Sequence, residues 1–183
     1  MIQVLDKQFK FFLSEQQILT EVKRVATEIR RDLQGKDPVF ISVLNGAFMF
    51  TSDLMKELDM PCQVSFVKLA SYASTASTGT VKRLLGINSD IKGRCVVIVE
   101  DIIDTGYTME AMIQMLKEYE PAEIRIAALL LKPDNLKIKL DVDYVALRIP
   151  NDFIVGYGLD YDGYGRNYRD IYVIDNSQTE QTC

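Results

Sequence analysis

Val96 to Met109 reads VVIVEDIIDTGYTM, in which four β-branched apolar residues are followed by two carboxylates, two isoleucines and then Asp104-Thr105-Gly106-Tyr107-Thr108. The apolar run predicts a strand covered on both faces, and the residues after Gly106 predict a helix. Runs of the same kind recur on either side. VFISVL (39–44), QVSFVKLA (63–70), CVVIV (95–99), IRIAALLL (124–131) and a stretch near Val142 to Leu147 all read as strands. Ser14 with Gln17 three residues later is a capping-box pattern. Behind it Ile18, Val22, Val25, Ile29 and Leu33 recur at helical spacing until Gly35. A second helix is expected from about Ala47 to Leu58. Apolar strands alternating with helices imply a doubly wound α/β architecture, a mostly parallel sheet flanked by helices. Phe153 to Ile174 holds two short strand-like pieces joined by a Gly/Tyr/Asp-rich loop and reads as an appendage on that sheet. No linker or repeat divides the chain, so residues 1–183 are read as one domain with a frayed tail at about 176–183.

In an open parallel sheet, ligands bind beyond the carboxyl ends of the strands. Glu100 to Thr108 lies there, with three carboxylates and two threonines within nine residues. Gly106 permits a tight turn, and the unpaired amides from Thr105 to Thr108 are donors at the positive end of a helix dipole, suited to a phosphate. Glu100 and Asp101 would repel that phosphate, so they are assigned to sugar hydroxyls or to a hydrated Mg²⁺. Taken singly, Asp104 or Thr105 reads equally as an ordinary helix cap. No Lys follows the glycine as a P-loop requires, and there is no GxGxxG, so neither a nucleoside triphosphate nor a dinucleotide is implied. The pattern describes a ribose-phosphate cradle.

Composition narrows the chemistry. Of 183 residues, 48% are apolar, so a core can form without disulfides or a structural metal. The net charge of -5, from 21 basic and 26 acidic residues, argues against nucleic acid as a partner. Histidine is absent, which excludes Ser-His-Asp and Cys-His pairs and leaves carboxylate, Lys, Tyr or Cys as acid or base. Cys62, Cys95 and Cys183 are odd in number and far apart, as free thiols are in a reducing compartment. No apolar stretch reaches the length of a membrane span, and the first residues lack a signal-peptide pattern, so a cytoplasmic protein without a membrane partner is expected.

VVIVEDIIDTG closely resembles the phosphoribosyl pyrophosphate signature of the type I phosphoribosyltransferases, and EDIIDTG followed by Thr108-Met109 resembles their hypoxanthine-guanine subfamily. The resemblance extends from about Val39 to Ile174 and implies, besides the α/β core, a small hood and a mobile lid. It places Asp104 over the purine as the base that takes the N7 proton, Glu100 and Asp101 at the ribose hydroxyls, directly or through Mg²⁺, and Asp104, Thr105, Gly106, Tyr107 and Thr108 around the 5-phosphate. Leu44, Asn45 and Gly46 match the loop that binds pyrophosphate through backbone amides, often with a cis peptide between its first two residues. Many members have Lys where this chain has Asn45. Ser71 and Tyr72, leading into residues 73–83, match the lid. Lys132 matches the donor to the purine 6-oxo group, Phe153 the stacking ring, and Ile154 the neighbour whose backbone reads the purine edge. Asp160 matches a carboxylate that holds a second Mg²⁺ beside the purine, and Arg166 an arginine on pyrophosphate. A homodimer or homotetramer is implied as well.

The expected activity is Mg²⁺-dependent purine salvage: a 6-oxopurine and phosphoribosyl pyrophosphate give the nucleoside monophosphate and pyrophosphate. Three rivals stand beside it: a transferase for another base such as xanthine, an RNA-binding regulator on the same fold, and a non-catalytic nucleotide sensor. Retention of Asp104 and the whole cradle favours the enzyme.

Overall fold

The computed structural model describes residues 1–70, 82–85 and 90–178. In chain order the elements are β1 (Ile2–Val4), β2 (Lys7–Leu13), α1 (Glu15–Leu33), β3 (Val39–Leu44), α2 (Phe48–Leu58), β4 (Gln63–Ala70), β5 (Lys82–Leu85), β6 (Cys95–Ile103), α3 (Tyr107–Lys117), β7 (Glu123–Leu131), β8 (Tyr144–Arg148), β9 (Ile154–Val155) and β10 (Ile171–Ile174). Helix α1 starts where the sequence predicts. Ser14 Oγ accepts from the Gln17 amide at 3.2 Å, and the Ser14 amide donates to Gln17 Oε1 at 3.0 Å. Its apolar stripe, Ile18, Val22, Val25, Ile29 and Leu33, is fully buried, a contribution of roughly 1.5–3 kcal/mol for each large side chain.

Six strands form the main sheet in the order β5-β4-β3-β6-β7-β8. All neighbours are parallel except β4 and β5. Alternation of side chains along each strand feeds two cores. Phe40, Val97, Val99 and Leu129 pack beneath α1 and α2, whereas Val39, Ile41, Val96, Ile98 and Ile126 pack with Met109, Met112 and Leu116 of α3. A buried bond of 2.7 Å between the Ser42 and Thr51 hydroxyls ties β3 to α2. Going from β3, the chain places β4 on one side and β6 on the other. The order therefore reverses between β3 and β6, and a crevice opens beyond their carboxyl ends.

Three elements differ from expectation. The segment from Phe153 to Ile174 does not lie on the parallel sheet. Its strands β9 and β10 join the N-terminal hairpin in a separate antiparallel sheet of order β1-β2-β10-β9, closed over Val4, Phe9 and Val155. That sheet is the hood. Strand β6 continues through Glu100 and Asp101 to Ile103, because Glu100 to Ile103 remain in the ladder with Ala128 to Leu131 of β7. Finally, Lys82 and Arg83, read as part of the lid, lie in the antiparallel edge strand β5. Ser71 and Tyr72 fall outside the described residues.

Candidate active site

The loops after β3 and β6 each run straight into a helix, α2 and α3, and neither helix N-terminus is capped by a side chain. Glu110 makes the first backbone bond of α3, to the Gly106 carbonyl, so the amides of Tyr107, Thr108 and Met109 stay free for an anion. Gly106 holds φ +91°, and a Cβ there would meet Ile138 at 2.8 Å, which is why no other residue fits the turn. Thr105 is half-buried and Thr108 exposed at this turn. Leu44 and Asn45 are joined by a cis peptide bond. Two uncapped helix ends thus meet at one crevice, an arrangement that suits a ligand carrying two phosphate groups.

Between them stand the carboxylates. Glu100 is 6% exposed, and burial, with Asp101 beside it, holds its carboxyl well above the usual carboxylate range. The Asp101 amide donates to Glu100 Oε1 at 3.2 Å. The Asp101 carboxylate lies against Gly46: a Cβ on Gly46 would sit 1.6 Å from its Oδ2. Among the described residues no three acidic or thiol side chains converge on one point. The Glu100–Asp101 pair nevertheless suits Mg²⁺, which is held by one or two carboxylates and completes its octahedron with water and phosphate oxygens.

Asp104, at the mouth of the crevice, has its carboxylate oxygens engaged from one segment. Lys132 Nζ lies 3.5 Å from Oδ2, and the Asn135 carboxamide donates to Oδ1. Lys132 is 7% exposed, so its ammonium is desolvated and faces the crevice carboxylate rather than water, unlike an ordinary lysine at a strand end. Phe153 is 43% exposed. Its ring rests edge-on against Tyr161, with centroids 5.8 Å apart, and against Phe9 at 6.2 Å. Phe9 of the hood and Tyr161 therefore support it. Ile154 is buried in β9.

Asp160 and Arg166 come together at 2.7 Å, and Asp160 also accepts from the Gly163 amide at 2.6 Å. Arg166 donates in addition to the Gly158 carbonyl at 2.7 Å. Gly158, at φ +100°, touches the pyrophosphate-type loop so closely that a Cβ would lie 2.1 Å from the Gly46 carbonyl oxygen. The Tyr157 hydroxyl donates to Asp53 of α2 at 2.6 Å. Residues 44–46, 101, 158, 160 and 166 are thereby one connected unit, as are 104, 132 and 135. Tyr157, Asp53, Gly158 and Asn135 escape sequence reasoning. The Gly156-Tyr157-Gly158 spacing was a usable signal for the first contact, but nothing near Asn135 distinguishes it from a turn residue. A hollow of about 810 Å³ at the amino-terminal side of the sheet, bordered by Arg30, Gln34, Asp59 and Met60, contains none of the candidate residues.

The fold and this crevice define an α/β domain with two anion-suited helix ends at a topological switch point. The sequence profile of the phosphoribosyl transferase domain matches residues 10–162. The chain is 39% identical over 163 residues to the hypoxanthine-guanine phosphoribosyltransferase of Streptococcus pneumoniae, covering 88% of this chain and 89% of that protein. Identity to the Streptococcus pyogenes counterpart is 40%, with the same coverage. Among solved structures, a hypoxanthine-guanine phosphoribosyltransferase from Bacillus anthracis superposes with a TM-score of 0.87 at 36% identity, covering 93% of this chain and all of that one. The Trypanosoma cruzi hypoxanthine phosphoribosyl transferase gives 0.87 at 37% identity, with 95% of each chain covered. This protein belongs to the phosphoribosyltransferase family.

Proposed function

We propose that this protein transfers the phosphoribosyl group of phosphoribosyl pyrophosphate to hypoxanthine and guanine, giving the nucleoside monophosphates and pyrophosphate in purine salvage. The observation that carries the proposal is the pair of uncapped helix ends flanking Glu100 and Asp101, with the Asp104–Lys132 pair at the mouth of the same crevice. The loop at Asp104 to Thr108 holds the 5-phosphate on its amides, and the loop at Leu44 to Gly46, with Arg166, receives the pyrophosphate. Glu100 and Asp101 orient the ribose hydroxyls.

Purine N9 forms the new bond to the anomeric carbon as the bond to pyrophosphate breaks, and the electron pair leaves with the pyrophosphate oxygen. Asp104 takes the proton that leaves N7, and its negative charge stabilises the cationic character of the sugar in the transition state. Lys132 donates to the 6-oxo group. An adenine amino group at that position would set donor against donor in a buried site, and this disfavours adenine. Phe153 stacks on the ring, and the Ile154 backbone reads its edge. When bound, Mg²⁺ would be held by Glu100 and Asp101, with a second ion at Asp160 once Arg166 turns to pyrophosphate, and would supply positive charge against that of the leaving group.

The reading extends to assembly and place. Val64 and Phe66 of β4 and Phe48 of α2 are exposed apolar side chains, which supports a homo-oligomer. Free Cys62 and Cys95 fit the reducing cytoplasm. The test is an initial-rate assay with phosphoribosyl pyrophosphate, with and without Mg²⁺, and separately hypoxanthine, guanine, xanthine, adenine and uracil. Pyrophosphate release with hypoxanthine and guanine that requires Mg²⁺ is the expected result. Release with adenine or uracil alone refutes the assignment.

A further inference from the structure

The segment after β7 is fastened by its backbone at two points to the chain that leads from β6 into α3. The Lys132 amide donates to the Ile103 carbonyl at 3.0 Å, and the Lys137 amide to the Thr105 carbonyl at 3.0 Å. Ile138 and Leu136 close over Gly106. Between these two fastenings the chain makes a single turn of 3₁₀ helix, Pro133–Asn135, closed by the Asn135 amide on the Lys132 carbonyl at 3.2 Å. That turn sets the half-buried Asn135 side chain opposite Asp104, to which its carboxamide donates.

We propose that Asn135 is the positioning residue for Asp104. Resting on the reading of Asp104 as the proton acceptor, the inference is that the Asn135 carboxamide, holding Oδ1 while Lys132 faces Oδ2, fixes the plane of the carboxylate so that it meets purine N7. The residue type suits the task. Asp104 stands at the mouth of the crevice with its side chain 43% exposed, and a carboxylate so placed turns freely about its Cβ–Cγ bond unless something holds it. A cation at position 135 would hold it as well, but would compete with the proton Asp104 is to receive. A carboxamide holds the carboxylate without adding charge. Lys132 alone cannot do so, because 3.5 Å is long for a bond and its ammonium is to turn to the purine oxo group.

The test is a double-mutant cycle on the full-length protein. Asn135→Ala and the isosteric Asn135→Asp are each made in the wild-type and Asp104→Asn backgrounds, with kcat and the KM for phosphoribosyl pyrophosphate measured for all. The backbone bonds that shape the turn do not involve the side chain, and circular dichroism checks that each variant is folded. Asn135→Ala is expected to lower kcat about ten- to a hundredfold, the worth of one hydrogen bond to a charged group, with KM unchanged within about twofold. Asn135→Asp, equal in size but an acceptor, loses as much or more. In the Asp104→Asn background neither change lowers kcat by more than about threefold. Equal losses in both backgrounds, or full activity of Asn135→Asp, overturn the proposal, since a turn residue with only a structural role behaves in that way. If Asp104→Asn itself retains wild-type kcat, the reading of Asp104 fails, whatever Asn135 does.

Discussion

Gly46→Ala separates the chemistry of the crevice from the stability of the fold. Gly46 does not hold a positive φ, so its backbone accepts alanine without strain, and the smaller freedom of the unfolded chain even favours the change by about 0.4–1 kcal/mol. The new methyl carbon would nevertheless stand 1.6 Å from Asp101 Oδ2, 2.3 Å from its Cγ and 2.9 Å from Oδ1. Ordinary contact is about 3.5 Å, so the carboxylate must retreat by roughly 2 Å. A side chain can rotate away at little cost in folding energy, but the displaced group is the one assigned to ribose and Mg²⁺. Misplacement by even 1 Å in an active site costs on the order of a hundredfold. The expectation is a Tm within about 4 °C of wild type together with a fall of about a hundredfold in kcat/KM for phosphoribosyl pyrophosphate. Initial rates at saturating hypoxanthine and a thermal melt measure both. A kcat/KM within twofold of wild type would refute the argument that the Gly46–Asp101 contact sets the site. Gly158→Ala is the control: its Cβ would lie 2.1 Å from a carbonyl oxygen, at φ +100°. Neither conflict can be relieved by rotating a side chain, so this variant should also lose at least about 2 kcal/mol of stability.

Three further outcomes are expected. Lys132→Ala should lower hypoxanthine turnover selectively while any turnover of adenine changes little; equal losses in parallel assays would remove the 6-oxo contact. Tyr157→Phe deletes the 2.6 Å bond to Asp53 of α2 and should cost about 1–3 kcal/mol in urea denaturation, with the midpoint shifted and the slope unchanged. Burial pushes the Cys95 thiol up to about 11, so at pH 8 it is overwhelmingly protonated and should resist iodoacetamide in the folded protein yet react once the protein is unfolded in urea. Rapid native labelling at Cys95, read by peptide mass spectrometry, would contradict its placement.

How much of this was legible in advance depended on the range over which each residue acts. Helix α1 was readable because its cap, its apolar stripe and its stop are all local. The strand-loop-helix around Asp104 was readable for the same reason: strand, carboxylates, glycine and helix follow one another within Val96 to Met109. Strand β6 was drawn too short because two carboxylates look like the end of a strand, whereas pairing with Ala128 to Leu131 keeps them in the ladder. The hairpin β1–β2 went unread since its sheet is completed only by Ile171 to Ile174 at the other end of the chain.

The sequence by itself determined the fold class, the order of the core elements and the place of the acidic loop at the end of a buried strand, because hydrophobic periodicity and turn chemistry are properties of neighbouring residues. Only the tertiary structure decided which groups stand together. It laid Asp101 against Gly46, Gly46 against Gly158, Arg166 on Asp160, and Lys132 with Asn135 on Asp104. These partners lie 6 to 112 positions apart, counting from Asp160 to Arg166 and from Gly46 to Gly158. No local pattern encodes such contacts, since they follow from the reversal of strand order between β3 and β6 and from the hood that closes over it.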